Sequence, residues 1–263
     1  NENEEYPVVI KIKGDHVVEP DETFRLLFED PSKDFEGRLT FPIKDIKGTI
    51  ENDDFSAIEI TAEGGKEGAQ NATFTFKLTN GKTVDEDIFI DYNLEDISAK
   101  IGEDYTIDPL ELSPLKIPKG SNSVTLTLKV IDDNLVEGTE EVNLKATVRN
   151  NPKIALVNPK VKVEIEDNDS ALISISSPTI TEGDSNTKDL EFTVSVSQPT
   201  QEPFIVRYST ADGTAKAGSD YIAEQNGVLA FDKDNTTRKF IIKIIGDKVV
   251  EATEQFYVAL SGL

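Results

Sequence analysis

Three short acidic segments share the pattern Asp-x-x-Val-Glu-x-x-Glu, at residues 15–22, 133–140 and 247–254. Carboxylates about 4 Å apart repel each other by up to about 4 kcal/mol per pair at moderate dielectric, so a cation that joins them is favoured. Calcium takes about six to eight oxygen ligands, which carboxylates and carbonyls supply. These segments, called the acidic elbows below, therefore predict a cation site. The chain has no Asp-x-Asp-x-Asp-Gly loop of the EF-hand kind, so the ligands have to come from several loops.

Each elbow has to be positioned by the strands on either side of it. The segment before the second elbow alternates apolar and polar residues through Leu126, Leu128 and Val130, and the segment after it does so through Val142 and Leu144. This period of two dominates the chain, and turns rich in Gly, Asn and Asp interrupt it about every 8 to 12 residues. The pattern predicts an all-β sandwich, and Asn80-Gly81 predicts a hairpin turn within it.

The same features recur along the chain at a nearly constant spacing. Asp15 and Asp133 are 118 residues apart, Asp133 and Asp247 are 114 apart, and Tyr105 and Tyr221 are 116 apart. Acidic strings close two of the units, at residues 50–54 and 165–169. We therefore predict three units: residues 1–54 as the C-terminal half of a repeat, 55–169 as a complete repeat, and 170–263 as a repeat without its last strand. In the third unit we expect strands near 171–176, 189–197, 203–209, 227–231, 237–245 and 254–260.

Composition excludes several classes of partner and site. The 263 residues carry a net charge of −23 at pH 7, which argues against nucleic acid and against an anionic membrane surface. The chain has no Cys, so disulfides and thiolate metal sites are unavailable. The only His, His16, is expected to be exposed in the first elbow, and neither a catalytic triad nor a carboxylate-lined sugar cleft is indicated. We predict that the protein is not an enzyme. Because the chain starts with Asn1 and has no signal peptide, we expect an internal piece of a longer protein.

One loop carries a specific resemblance to a known family. The run Ser-Thr-Ala-Asp-Gly-Thr-Ala-Lys-Ala-Gly-Ser-Asp-Tyr at 209–221, followed by Phe231 and the third elbow, resembles a Calx-β domain. The second unit departs from this motif but keeps Asp96, Gly102 and Tyr105. The resemblance implies immunoglobulin-like antiparallel β-sandwiches arranged head to tail. It also implies calcium at one tip of a sandwich, held by an early Glu, a loop Asp, the elbow and the closing acidic string.

The resemblance implies a ligand set for each unit. In the second unit the set is Glu67, Asp96, Asp132, Asp133, Glu137, Glu140, Asp167, Asn168 and Asp169. In the third unit it is Glu182, Asp212, Asp247, Glu251 and Glu254. In the first unit it is Asp15, Glu19, Glu22, Asp53 and Asp54, with Asn52 in the same closing string. Only the second unit has the early Glu, the loop Asp, two adjacent Asp residues in the elbow and the closing string together.

Two functions fit this organisation. The first is a structural or adhesion module, a calcium-stiffened spacer array in a large, bacterial, extracellular or cell-surface protein. Its partners are calcium ions, neighbouring Calx-β repeats and an adhesion partner, protein or glycan, that the sequence does not identify. The alternative is a calcium-sensing regulatory domain of a membrane transporter such as a sodium–calcium exchanger. In both cases the closing string is also the linker, so a bound ion would stiffen the connection between repeats.

Overall fold

The computed structural model describes residues 7–15, 17–28 and 45–262, and these fall into two compact units. Unit 1 contains the described residues up to Gly65 together with 70–130 and 140–165. Unit 2 contains 66–69, 131–139 and 166–262. The described residues form strands and short 3-10 turns, so the predicted all-β class is confirmed. None of the helical turns among them is long and apolar enough to span a bilayer. His16 lies outside the described residues.

Unit 1 is a sandwich of two five-stranded sheets that share one core. Its first sheet has the order β4-β12-β10-β6-β8, formed by Gly65–Lys66, Lys160–Glu166, Glu140–Val148, Ile88–Asp96 and Leu115–Ile117. Its second sheet has the order β11-β3-β5-β9-β7, formed by Ile154–Leu156, Ser56–Glu63, Ala72–Leu78, Ser123–Val130 and Tyr105–Ile107. Short 3-10 turns occupy Thr79–Gly81 and Pro109–Glu111.

The core of unit 1 follows from the alternation in the sequence. Phe74 and Phe76 on β5 are fully buried, and Phe74 pairs with Leu126 on β9. Val142 and Leu144 on β10 are fully buried in the same core, which receives side chains from both sheets. Because successive side chains on a strand point to opposite faces, a strict period of two places one face of each strand in this core.

A separate antiparallel pair, β1 (Glu22–Leu27) and β2 (Asp45–Ile50), also belongs to unit 1. Glu22 pairs with Ile50, as Glu140 pairs with Ile165 between β10 and β12. In both pairs the first partner is the last Glu of an acidic elbow, and the assignment of residues 1–54 to the second half of a repeat stays a prediction. Neither β1 nor β2 contains a buried residue, whereas Val18 just before β1 is fully buried in the core of unit 1.

Unit 2 contains two three-stranded sheets. The first has the order β13-β14-β17, formed by Ile173–Ile175, Thr187–Val196 and Thr237–Ile245. The second has the order β16-β15-β18, formed by Gly227–Phe231, Phe204–Ala211 and Tyr257–Ser261. All six strands were predicted, although β18 begins at Tyr257 rather than near residue 254. Phe192 and Phe240 stack with ring centroids 5.1 Å apart in the core of this unit.

The predicted hairpin at Asn80-Gly81 is wrong. These residues form a 3-10 turn between β5 and β6, and the two strands lie in different sheets. Gly81 has φ +68°, so the Asn-Gly pair does supply the left-handed residue of a tight turn. The chain uses this turn to cross from one sheet of the sandwich to the other.

Candidate calcium site

Three separate segments of unit 2 bring acidic side chains together. Residue 67 enters from the loop after β4, Asp132 and Asp133 from the second elbow, and Asp167 and Asp169 from the closing string after β12. The carboxylate oxygens of Glu67, Asp167 and Asp169 lie within 4.8 Å of one another. The elbow can place its acids here because β9 ends at Val130 and β10 begins at Glu140, which leaves 131–139 as a loop.

Glu67 is the most unusual member of this group. Its side chain is only 3% exposed, and its Oε2 has no hydrogen-bond partner among the described residues. Burial and then the charges of Asp167 and Asp133 raise the pKa of Glu67 to about 7. A buried carboxylate without a partner is costly, so this oxygen points to a missing positive group.

The closing string is fixed by hydrogen bonds to the elbow. The backbone N–H of Glu137 donates to Oδ2 of Asp167 over 2.9 Å, and Nδ2 of Asn168 donates to Oδ1 of Asp132 over 2.7 Å. Oδ2 of Asp169 is buried and has no hydrogen-bond partner among the described residues. Burial, followed by the charge of Asp167, raises the pKa of Asp169. The string therefore presents a second buried carboxylate oxygen that the described part of the chain leaves without a hydrogen bond.

Several predicted ligands of the second repeat are engaged elsewhere. Both oxygens of Asp96 accept hydrogen bonds, from the hydroxyl of Tyr105 (2.6 Å) and from the N–H of Ile101 (3.3 Å). Oδ1 of Asp133 accepts from the N–H of Leu135 over 2.6 Å, and Oε1 of Glu137 accepts from Gln201 over 2.9 Å. Asp96 and Glu140 belong to unit 1, so their part in a site with Glu67 stays a prediction.

Asp104 is a buried acid that the sequence analysis did not select. It is 8% exposed, and a carboxylate oxygen lies within 4.8 Å of one from Glu140, which is 4% exposed. Its Oδ2 accepts from the N–H of Lys100 over 2.6 Å. A sequence signal existed, because Gly-x-Asp-Tyr occurs at both 102–105 and 218–221.

In the third repeat, Asp220 occupies the motif position of Asp104 and was likewise not predicted as a ligand. Carboxylate oxygens of Asp220, Glu251 and Glu254 lie within 4.8 Å of one another. Partial desolvation and the charge of Asp220 raise the pKa values of Glu251 and Glu254, and Glu182 contributes with the same sign. Thus three of the predicted residues are electrostatically coupled around Asp220. All three members of the cluster are partly or fully exposed, unlike Glu67.

The remaining two predicted ligands of the third repeat are used in local structure. Asp212 accepts from the hydroxyl of Tyr221 (2.7 Å) and from the N–H of Ala217 (2.9 Å), and these bonds lower its pKa. Oδ1 of Asp247 accepts from the N–H of Val249 over 2.6 Å. Asp212 therefore has the place in its loop that Asp96 has in the second repeat.

In the first repeat only part of the predicted set comes together. Glu19 and Glu22 lie with Asp85, a residue of the second repeat that was not predicted, with oxygens within 4.8 Å. Partial desolvation and then Glu22 raise the pKa of Glu19. Asp15 caps its own turn by accepting from the N–H of Val17 over 2.8 Å.

The closing string of the first repeat is bound differently. Asp54 forms an ion pair with Lys82, whereas Asp53 is exposed. The unsatisfied, buried carboxylates that characterise the second repeat are not found among the described residues of the first.

Comparison with known proteins supplies the family. The Calx-beta domain model matches residues 1–54, 50–169 and 166–263. The chain is 27% identical over 206 residues to sodium/calcium exchanger 3 of Rattus norvegicus, and 27% identical over 226 residues to sodium/calcium exchanger 2 of Homo sapiens. These matches cover 70% and 80% of this chain, and 22% of each exchanger. The chain thus spans about a fifth of the length of these relatives.

The solved structures matched in the comparison include the calcium binding domain CBD12 of CALX1.1, at 21% identity and TM-score 0.35, covering 78% of this chain and 79% of that one. CBD12 from CALX1.2 has 19% identity and TM-score 0.34, covering 78% and 80%. Neither likeness carries weight at these scores, and the family model decides the assignment. Because this model matches three tandem segments that together span the chain, the protein belongs to the Calx-beta domain family.

Proposed function

We propose that the chain is a calcium-binding regulatory module. Its principal site is the group of acids Glu67, Asp132, Asp133, Asp167 and Asp169, called the tip below. The observation that carries this proposal is Oε2 of Glu67, which is buried beside the carboxylates of Asp167 and Asp169 and has no hydrogen-bond partner among the residues that the structure describes. Hard oxygen donors from several loops suit calcium. The charges of Asp132 and Asp133 also raise the pKa of Glu67, so they add to the negative charge of the same tip.

Some residues of the tip would bind the ion, and others orient the residues beside it. Glu67, Asp167 and Asp169 would hold the ion, and Asn168 orients Asp132 by donating to it. The N–H of Glu137 orients Asp167. A bound calcium ion supplies two positive charges, which reduce the repulsion among these carboxylates. The elbow and the closing string then become one ordered structure.

The relatives favour regulation over adhesion. Their names identify them as sodium/calcium exchangers, and none of these names refers to adhesion. An adhesion partner and an extracellular position gain no support from these relatives. The calcium-stiffened spacer remains a second candidate, favoured by the three tandem copies in one chain. Transmembrane segments elsewhere in the parent protein would favour the sensor, and further tandem repeats would favour the spacer.

Calorimetry on the full chain tests the calcium proposal. We expect heat of binding for calcium and a rise in melting temperature at millimolar calcium. The Glu67→Gln variant should lose at least about tenfold in affinity, since it removes one charged ligand while preserving shape. Glu59→Gln is the matched control, because Glu59 is an exposed acid of the same repeat. Absence of heat and of any thermal shift in the unmodified chain would refute the proposal.

A further inference from the structure

Two elbows contact the next repeat through the same main-chain bonds. The N–H of Val18 donates to the carbonyl of Thr83 (3.2 Å), and the N–H of Asp85 donates to the carbonyl of Val18 (3.4 Å). These bonds form a parallel bridge between Val18 and Val84. We call this contact, with residues 52–54 and the loop 82–85, the first junction.

The second junction repeats this arrangement 116 to 118 residues later. The N–H of Val136 donates to the carbonyl of Pro199 (3.0 Å), and the N–H of Gln201 donates to the carbonyl of Val136 (2.9 Å). The parallel bridge here joins Val136 and Thr200. This junction also includes residues 167–169 and the loop 198–201. The two junctions therefore share one main-chain design.

Their side chains differ at one decisive position. Lys82 in the first junction corresponds to Gln198 in the second, 116 residues later, and Asp54 corresponds to Asp169, 115 residues later. Nζ of Lys82 lies 2.5 Å from Oδ1 of Asp54, and the two side chains are only 19% and 16% exposed. A full positive charge therefore meets the last acid of the closing string.

In the second junction the equivalent acid meets a neutral amide. With its amide nitrogen turned toward Asp169, Gln198 donates to Oδ1 of that residue (3.1 Å) and to the carbonyl of Asn134 (3.2 Å). This bond leaves Oδ2 of Asp169 buried and unpartnered among the described residues. An amide carries no net charge, so it does not offset the acids around it.

A second lysine reinforces the first junction. Nζ of Lys153 donates to Oδ1 of Asp21 (2.9 Å) and to the carbonyl of Asn52 (2.7 Å), and it lies 5.8 Å from the ring centroid of Phe55. Its hydrogen bond, with that from the N–H of Asn52, lowers the pKa of Asp21. Lys153 thus links the first elbow, through Asp21, to the closing string, through Asn52, from the body of the second repeat.

We infer that Lys82 and Lys153 are resident cations that hold the first junction closed without metal, whereas the second junction needs an added cation. An ammonium tethered to the fold is present at every calcium concentration. The first junction is therefore constitutive, and regulation by calcium is confined to the second. The statement about the second junction rests on the proposed function, but the statement about the first does not.

Hydrogen exchange on the full chain, in chelator and in millimolar calcium, tests this inference. Peptides covering 17–20 and 82–86 should be equally protected in both conditions. Lys82→Gln installs the residue of the second junction and should speed their exchange about tenfold, since it leaves a mostly buried carboxylate unpaired. Gln198→Lys should protect peptides covering 131–139 and 198–201 in chelator. Lys77→Gln is the control, because Lys77 is an exposed lysine of the same repeat.

The outcomes separate the two claims. Unchanged exchange of the first junction in Lys82→Gln, or protection of that junction by calcium in the unmodified chain, overturns the resident-cation inference. If calcium leaves the second junction unchanged while Lys82→Gln opens the first, the proposed calcium site fails and the role of Lys82 stands. Should Lys82→Gln unfold the chain, Asp54→Asn removes the same pair from the other side, and Lys82→Arg should retain protection.

Discussion

The hydroxyl of Tyr105 donates a 2.6 Å hydrogen bond to Oδ1 of Asp96, and the hydroxyl of Tyr221 donates one of 2.7 Å to Oδ1 of Asp212. Both tyrosine side chains are almost fully buried. In each pair the Asp and the Tyr are nine positions apart in the sequence, and the second pair follows the first by 116 residues. Each fixes the base of a loop whose aspartate the family resemblance implicates in calcium binding.

Removing the hydroxyl in the second repeat should therefore destabilise the protein. Hydrogen bonds to charged groups contribute about 1.5–3 kcal/mol, so Tyr105→Phe should lower the free energy of unfolding by about 2 kcal/mol. Urea denaturation followed by circular dichroism measures this. Tyr257→Phe, at a tyrosine that is 56% exposed, should change stability by less than about 0.5 kcal/mol. Equal effects of the two substitutions would contradict the assigned role of Tyr105.

The metal-free protein should lose stability as pH rises from about 4.5 to about 7. In this window folded Glu67 retains its proton, because its pKa is raised to about 7, whereas in the unfolded chain it ionises near 4.5. The folded state then binds more protons than the unfolded state, so raising the pH favours unfolding. At about 1.4 kcal/mol per pKa unit, the loss is at most about 3 kcal/mol.

Thermal melts in chelator across this range check the prediction. Glu67→Gln should flatten the decline and raise the melting temperature at pH 8, whereas Glu59→Gln should retain the slope. Saturating calcium should oppose the decline, since the ion binds the ionised carboxylate. A metal-free stability that increases from pH 5 to pH 7 by the same amount in both variants would count against the assignment.

Gly68 should be essential to the tip for steric reasons. It has φ +63°, and a Cβ there would lie 2.9 Å from Oδ1 of Asp132 and 3.1 Å from Nδ2 of Asn168. Gly68→Ala should therefore displace the Asp132–Asn168 pair and weaken calcium binding by about tenfold or more, as measured by calorimetry.

Gly81 provides the matched control for this substitution. It has φ +68°, and a Cβ there would meet nothing within 4 Å. Gly81→Ala carries a similar backbone cost of about 1–2 kcal/mol, but it should leave calcium affinity unchanged. Equal loss of affinity in both variants would show that the effect of Gly68→Ala is general destabilisation rather than a local clash.

Thiol labelling should show that the shared Val position is buried in the first elbow and exposed in the third. Val250 is 99% exposed, whereas Val18 is fully buried, although both occupy the Val position of the shared elbow pattern. Because the chain has no Cys, single substitutions report one site at a time. A maleimide should modify Val250→Cys about 100-fold faster than Val18→Cys, since the buried thiol reacts only after local opening. Val8→Cys, at a residue that is 63% exposed, should match Val250→Cys.

Much of the fold could be predicted because it depends on local alternation. A period of two marks Leu126, Leu128, Val142 and Leu144, which are all buried, and Val130, which is partly buried against the same core. The turn at Asn80-Gly81 was misassigned because a dipeptide specifies a backbone conformation but not which strand follows in the same sheet. The sheet that a strand joins depends on partner strands that are far away in the sequence.

The sequence predicts that acidic residues form the candidate site, but it identifies only some of the acids that lie together in the structure. Glu67, Asp167 and Asp169 came from the family resemblance, and the structure brings them together. Asp104 and Asp220 share the Gly-x-Asp-Tyr motif, but the motif alone does not show which acids lie beside them. Asp85 has no such motif, and its neighbours become known only when the chain folds. The Lys82–Asp54 pair was missed for the same reason, since 28 residues and a change of repeat separate the two partners.

The bridges at Val18 and Val136 are made by peptide groups, so they place few demands on the side chains of the loops that receive them. Thr83-Val84-Asp85 and Pro199-Thr200-Gln201 share no residue, yet they accept the same contact. The main-chain bridges therefore connect successive repeats in the same way at both junctions, whereas the side chains at each junction decide its charge. By the inference above, exchange of Lys82 and Gln198 would change whether the last acid of the closing string is paired with a resident charge, while the repeats on either side keep their sequence.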